Sequence, residues 1–212
     1  MNIKFLAPFL LTALAATGTL SAAPVTVNAE LLAAGPTDPN LKDSAGYLVG
    51  PYTLQVNGTT YLTMCVDIQD WSYVGTTYSA YETQLSSGNF ANTFHPGFGV
   101  QYDEEAYLLT QLLKPGADRI DIQDAAWAIT DSAYTPSAAA KTYINLAVAN
   151  YSSVNLAGFD LISDVNLGTG RSQEFLIAPG PPTTATPEPA SVFLLGGGLV
   201  VAGLVKRRKA VR

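Results

Sequence analysis

At 212 residues with 48% hydrophobic content, the chain is long enough to bury one full core and too short for several. The net charge of −6 is uneven: six of the eleven basic residues (Lys4, Lys206, Arg207, Arg208, Lys209, Arg212) lie in the two end segments, which leaves sixteen acidic and five basic residues, a charge of −11, between them. So acidic a surface repels phosphate backbones and anionic lipid, which weighs against nucleic acid or a membrane face as partner of the folded part.

Residues 1–23 have the parts of a secretory signal: Lys4 as the positive n-region, an apolar stretch over 5–14, and the small-residue end Ser21-Ala22-Ala23, with cleavage expected near Ala22 or Ala23. The apolar stretch is too short to span a bilayer. Residues 25–31 alternate apolar and polar side chains and predict a half-buried strand; 35–40, rich in Gly, Pro, Asp and Asn, predict a surface loop. Residues 52–56 and 59–66 flank Asn57-Gly58, a dipeptide that tolerates positive φ at both central positions, so they predict a two-residue hairpin. Cys65 then sits near the end of a strand, on one face with Tyr61, Thr63 and Asp67, while Leu62, Met64 and Val66 point the other way. Residues 69–101 are aromatic and glycine-rich without a sustained period, and predict irregular segments and short strands covering the Cys65 site.

Helical spacing begins at Asp103-Glu104-Glu105, expected as an acidic first turn, continues through Ala106, Leu109 and Leu113, and stops at Lys114-Pro115-Gly116. A second helix is expected to start at Asp118 or Asp121. It has a core stripe of Ile122, Ala125, Ala126 and Ile129, with Gln123 and Trp127 one turn apart on an adjacent face. A third opens at Thr135-Pro136, with Pro136 as its first residue and Ala139, Tyr143, Leu146 and Ala147 on one side. Residues 158–165 and 172–178 predict two closing strands. Strands, helices, strands: the expectation is one α+β domain over residues 24–178, an antiparallel β-sheet or sandwich core with an insert of about three helices.

Beyond it, residues 179–186 form a Pro-rich, extended linker. Pro187-Glu188-Pro189, an apolar run over 190–205 and the basic cluster Lys206-Arg207-Arg208-Lys209 follow in that order. As a helix, the run reaches only ~24 Å against a hydrocarbon core of ~30 Å, a marginal membrane anchor whose basic end stays cytoplasmic. The three features in sequence resemble the PEP-CTERM sorting signal of Gram-negative bacteria. That resemblance implies transient anchoring in the inner membrane, cleavage by an exosortase-type enzyme, and delivery to the cell surface or exopolysaccharide matrix. A permanent single-pass anchor is the alternative.

Cys65 is the only cysteine. Alone in an exported chain it is a buried thiol, an intermolecular link or a reactive group. Gln123, in Gln-x-Ala-x-Trp, offers the last option a partner, because a thiolate can attack the glutamine carbonyl, expel ammonia and leave an internal thioester. At Cys65, Gln123, Ala125 and Trp127 the chain resembles the bacterial thioester-domain adhesins, with Ile122 and Ala126 standing where that family has Thr and Ile or Val. The resemblance implies a Cys65–Gln123 thioester, an electrophile for a lysine amine or a sugar hydroxyl of a surface partner. Asp121, taken as N-cap, would free first-turn N–H groups for an oxyanion, and Trp127 would shield the bond from water.

Other chemistries are thinner in the sequence. A Cys65–His95 enzyme lacks a local signature, and the chain is not expected to be an enzyme. One Cys and one His make no closed metal site, and Asp67 with Asp70 lacks the full calcium-loop pattern, so neither a metal nor another cofactor is expected. The remaining alternative is a noncovalent, polysaccharide-binding matrix or biofilm protein in which Cys65 is a core thiol and Trp71, Tyr73, Tyr78 and Tyr81 contact sugar.

Overall fold

Alternation of side chains, continued over nine residues, makes the first strand long enough to pair on both edges. The computed structural model describes residues 24–35 and 38–180. The secretory segment, linker residues 181–186, Pro187-Glu188-Pro189, the apolar run and Lys206 to Lys209 lie outside them. Among the described residues, no helix is long and apolar enough to cross a membrane. Six strands form the sheet: β1 Val25–Ala33, β2 Tyr52–Val56, β3 Thr59–Cys65, β4 Thr77–Gln84, β5 Asp160–Asp164 and β6 Phe175–Ile177. All neighbouring pairs are antiparallel, in the order β1-β2-β3-β6-β5-β4.

The α+β class holds, but the sheet is a closed barrel, not an open sheet or sandwich. β1 closes it by pairing with β2 (Ala29 opposite Val56) and with β4 (Val27 opposite Ala80). Closure leaves no unpaired edge, a stable arrangement for an exported domain. The irregularity expected over 69–101 hid β4, whose polar and aromatic residues include only two fully buried positions, Ala80 and Thr83.

The β2–β3 hairpin forms as expected, with Asn57 at φ 48° and Gly58 at φ 84°. Asn57 also binds β1: its N–H donates to the Asn28 carbonyl at 2.9 Å, and its Oδ1 accepts from the Asn28 N–H at 3.0 Å.

Two cores share the barrel wall. Val27, Ala29, Leu54, Ala80, Ile162 and Phe175 fill the interior together with Cys65. The outer faces of β3, β5 and β6 give Met64, Val66, Leu161 and Leu176 to a second core under the helices. Successive residues at the end of β3 therefore belong to different cores, as the period of two requires.

Three helices lie between β4 and β5: α1 Gly99–Leu112, α2 Arg119–Thr130 and α3 Ala138–Asn150. α1 and α3 depart from expectation at their starts, and α2 takes the first of its two expected starts. α1 begins four residues before Asp103, so Glu105 falls in mid-helix and is fully buried. α2 is capped by Asp118, whose carboxylate accepts from the Asp121 N–H, so Asp121 is third in the helix and not the N-cap. In α3 the cap is Ser137, which places Pro136 before the helix; Ala140 and Ala147 are buried, whereas Ala139 and Leu146 are exposed. A stripe read one residue out of place is rotated by about 100° around the helix.

Asn57→Ala removes a cross-strand acceptor and forces a β-carbon side chain without local hydrogen bonding into the left-handed region. It is expected to lower stability by about 1–2 kcal/mol, measured as a fall in urea midpoint with unchanged slope.

Candidate functional site

The end of β3, the middle of α2 and the loop before β2 meet at Cys65. α2 is fastened to the strand end by two side chains two turns apart: Gln123 Nε2 donates to the Cys65 carbonyl at 2.6 Å, and Thr130 Oγ1 to the Val66 carbonyl at 2.6 Å. The other end of the Gln123 amide, Oε1, accepts from the Gly50 N–H at 3.4 Å. One partner is an obligate acceptor and the other an obligate donor, so the orientation of the amide is fixed. Gln123 is fully buried, and its amide lies against the residue that bears the thiol.

Gly50 lets the loop approach this closely without crowding. A β-carbon there would lie 3.1 Å from Gln123 Oε1, 3.2 Å from Leu112 and 3.3 Å from Tyr52. Arg119, one turn before Gln123, holds the same loop: its Nε donates to the Gly50 carbonyl at 2.5 Å and its Nη2 to the Val49 carbonyl at 3.1 Å.

The thiol has no exposure to solvent, which rules out an intermolecular disulfide in this fold. Its S–H donates to the Asp67 main-chain carbonyl at 2.8 Å. Burial pushes the thiol well above its ordinary range, and the nearby Asp67 charge raises it further. Such a cysteine is inert toward solvent reagents and can react only with a group already held beside it. The Trp127 indole N–H is buried with no hydrogen-bond partner, yet lies close enough to the sulfur to favour a thiolate.

Trp127 is covered in turn by aromatic edges: Tyr47 and Tyr134 each pack at 5.9 Å in T-shaped fashion, and Tyr47 touches Trp71 at 5.6 Å. Tyr47, Trp71 and Trp127 floor and wall a cleft of about 430 Å³ that also includes Leu31, Tyr52 and Val74. Trp71 is 58% exposed at its mouth, and Lys42, one of the three interior lysines, lines it too.

Several expected site residues stand elsewhere. Asp121 accepts from the Ser137 hydroxyl at 2.6 Å and ties α2 to the start of α3; since Asp118 is the cap, Gln123 lies beyond the first turn, and the oxyanion donor nearest its amide is Gly50. His95 stacks on Phe98 at 4.7 Å, and the charges that act on it are those of Arg171 and Asp131. Tyr78 and Tyr81 are part of β4, on the barrel wall, apart from the residues that line the cleft. Gly50, Arg119 and Tyr47 carry no signal in the sequence beyond a Gly-Pro turn, because their roles depend on a loop folding back over α2.

The C-terminal order of parts is matched by a family model. Residues 185–209 carry a PEP-CTERM protein-sorting motif. This motif marks an exported protein that an exosortase processes at the membrane and places on the cell surface. It covers the tail alone and leaves the barrel and helices unassigned. No curated protein and no solved structure matches the chain, so the likeness to thioester domains rests on the residues themselves.

The interior holds an unusual number of carboxyls. Glu174 accepts from Ser163 at 2.5 Å, Tyr102 at 2.7 Å and the Phe94 N–H at 3.0 Å, whereas both oxygens of Glu105 are buried without partners. Burial raises both, and it pushes Asp67 up to about 7 and Asp160 to about 6. The folded chain thus keeps protons that the unfolded chain releases near pH 4, so their stabilising contribution is complete below pH 4 and lost as pH rises toward 7. Thermal melts should show a higher midpoint at pH 5 than at pH 8, the reverse of ordinary acid lability. Glu105→Met, which replaces an unsatisfied carboxyl by an apolar side chain of similar length, should stabilise the domain by about 1–3 kcal/mol in urea unfolding at pH 8.

Proposed function

We propose that the exported domain closes an internal thioester between Cys65 and Gln123 and uses it to attach covalently to a surface partner. The observation that carries this reading is the buried Gln123 amide held between the Cys65 carbonyl and the Gly50 N–H. Effective concentration supplies much of the rate in such a closure, and a side chain pinned at both ends has little freedom to lose. The Gly50 N–H is placed to stabilise negative charge on Oε1 as the sulfur adds to the amide carbon. Trp127 and its aromatic cover exclude water, the competing nucleophile.

The thioester formed is an acylating group toward a lysine amine or a sugar hydroxyl entering by the cleft. The partner is an amine-bearing surface molecule or a surface polysaccharide, and the setting is the cell surface or extracellular matrix. Capture of this kind consumes the bond once, so the domain acts as an adhesin and not as a turnover enzyme. A second reading, noncovalent binding of polysaccharide in a biofilm matrix, is favoured by the exposed Trp71 ring at the mouth of the cleft.

Intact mass of the full chain, before and after methylamine and beside a Cys65→Ala control prepared in the same way, tests the covalent reading. Wild type should be lighter than its calculated processed mass by one ammonia and should gain one methylamine, and the control should do neither. Gly50→Ala, whose β-carbon crowds the amide, should lower the closed fraction at least about tenfold. A full mass with an unmodified thiol leaves the noncovalent reading, in which Trp71→Ala weakens retention on polysaccharide.

A further inference from the structure

An arginine is out of place at the start of α2. Arg119 is the first residue of that helix, where the helix dipole is positive and disfavours a cation. Among the described residues no carboxylate lies within ion-pair distance of it, although the chain has seventeen acidic residues; the one ion pair there is Arg171 with Asp70. Each hydrogen bond that Arg119 makes goes to a main-chain carbonyl: Nε to Gly50 at 2.5 Å, Nη2 to Val49 at 3.1 Å and to Asp38 at 3.5 Å. Room for the guanidinium is built into the chain, since Gly35 has φ 97° and a β-carbon there would lie 2.6 Å from Nη2.

The Val49 carbonyl decides what this arrangement can do. It belongs to the same peptide unit as the Gly50 N–H, and that N–H donates to Gln123 Oε1 at 3.4 Å. The guanidinium and the amide oxygen are therefore joined through one rigid, planar group, cation to C=O and N–H to Oε1. A peptide that accepts a charged hydrogen bond at its oxygen is polarised and becomes a stronger donor at its nitrogen. Val49 and Gln123 have no solvent exposure and Gly50 is buried, so water does not screen the path. Arg119 and Gln123 stand four residues apart on one face of α2, so a single helical turn places both of its ends. At 3.4 Å the bond to the neutral amide is weak, and it has room to shorten as charge grows on the oxygen.

We infer that Arg119 is a positioning residue for thioester closure, which acts through the Val49–Gly50 peptide and makes the Gly50 N–H a stronger donor to the oxyanion on Gln123. The inference rests on the thioester reading and adds the source of that oxyanion's stabilisation. In closure the sulfur bonds to the Gln123 amide carbon, and the C=O electron pair moves onto Oε1. That pair returns as the C–N bond breaks, and the S–H proton ends on the nitrogen, which leaves as ammonia. One S–H and one C–N bond are exchanged for one S–C and one N–H bond, and nothing is oxidised or reduced. Opening by an amine passes through the same oxyanion. Oε1 stays in place as the thioester carbonyl oxygen, so the closed state itself reports how strongly the peptide polarises it.

The test uses the full chain as wild type, Arg119→Lys and Arg119→Met, made with glutamine carrying heavy carbon at its side-chain carbonyl. Intact mass at fixed times after synthesis gives the rate of ammonia loss, and isotope-edited infrared spectroscopy gives the thioester carbonyl stretch, identified as the band missing from Cys65→Ala. Arg119→Met should close at least about tenfold more slowly, since complete loss of an oxyanion donor costs about 100- to 1,000-fold, and its carbonyl stretch should move to higher frequency. Arg119→Lys, which keeps the charge without the planar fork, should fall between Met and wild type in both readouts. Slower closure with an unmoved stretch makes Arg119 a tether of the loop alone and overturns the inference, and so does a folded Arg119→Met that closes at the wild-type rate; the thioester stands in both cases. Where Arg119→Met does not fold, Arg119→Lys decides, and wild-type values in both readouts overturn the inference. No ammonia loss in wild type removes the thioester itself and the role of Arg119 with it.

Discussion

One buried amide holds the site together. Gln123 reaches from α2 to a strand carbonyl on one side and a loop N–H on the other, so helix, barrel and loop are joined through three atoms of a single side chain. A buried amide that lost either partner would leave a main-chain group unpaired, at about 1–3 kcal/mol each. The surrounding contacts protect it: Arg119 holds the loop by two carbonyls, and Thr130 repeats the attachment at the next residue of the strand. The helix can neither slide nor rotate without breaking several of these bonds together.

The barrel makes that arrangement rigid. Thr63 is held by ladders on both sides, opposite Tyr52 of β2 and Ile177 of β6, and Cys65 is held opposite Phe175 of β6, so the strand end is fixed. Because its neighbours Met64 and Val66 face the helical core while Cys65 faces the interior, the strand end is packed on both surfaces. A reaction between two neutral, weakly reactive side chains demands this kind of placement, since neither group is activated in advance. The raised thiol is a consequence of the same burial that protects it from oxidants outside the cell.

Location and site agree in their physical logic. An exosortase-sorted protein works where no ATP or reduced thiol pool is supplied, and the proposed thioester, made from the chain's own side chains, would need neither. The dense aromatic cover over Trp127 separates this interior from a cleft that opens to the surface, and Trp71 and Val74, which line it, leave apolar area exposed. Few monomeric surfaces retain such area without a partner to cover it.

The linear chain by itself determined a good deal. Asn57-Gly58 between alternating segments specified the hairpin that carries Cys65, the Pro and Gly breaks separated three helices, and the order of motif, apolar run and basic cluster marked the tail, because each depends on a few neighbouring residues. That Gln123 lies beside Cys65, its amide on the Cys65 carbonyl, was suggested in the sequence only by the chemistry of the two residues and a short motif. Tertiary structure alone decided the rest. Barrel closure depends on β1 meeting β4, some fifty residues away, and β4 has no pattern strong enough to announce itself. Glu105 and Asp67 look like solvated acids until the α1 start and the loop after β3 place them inside. The start of α2 was left open between Asp118 and Asp121, two candidate caps three residues apart, and the folded chain takes Asp118. Local rules act over one turn or one hairpin, whereas burial is a property of what folds over a residue, which no stretch of this chain states about itself.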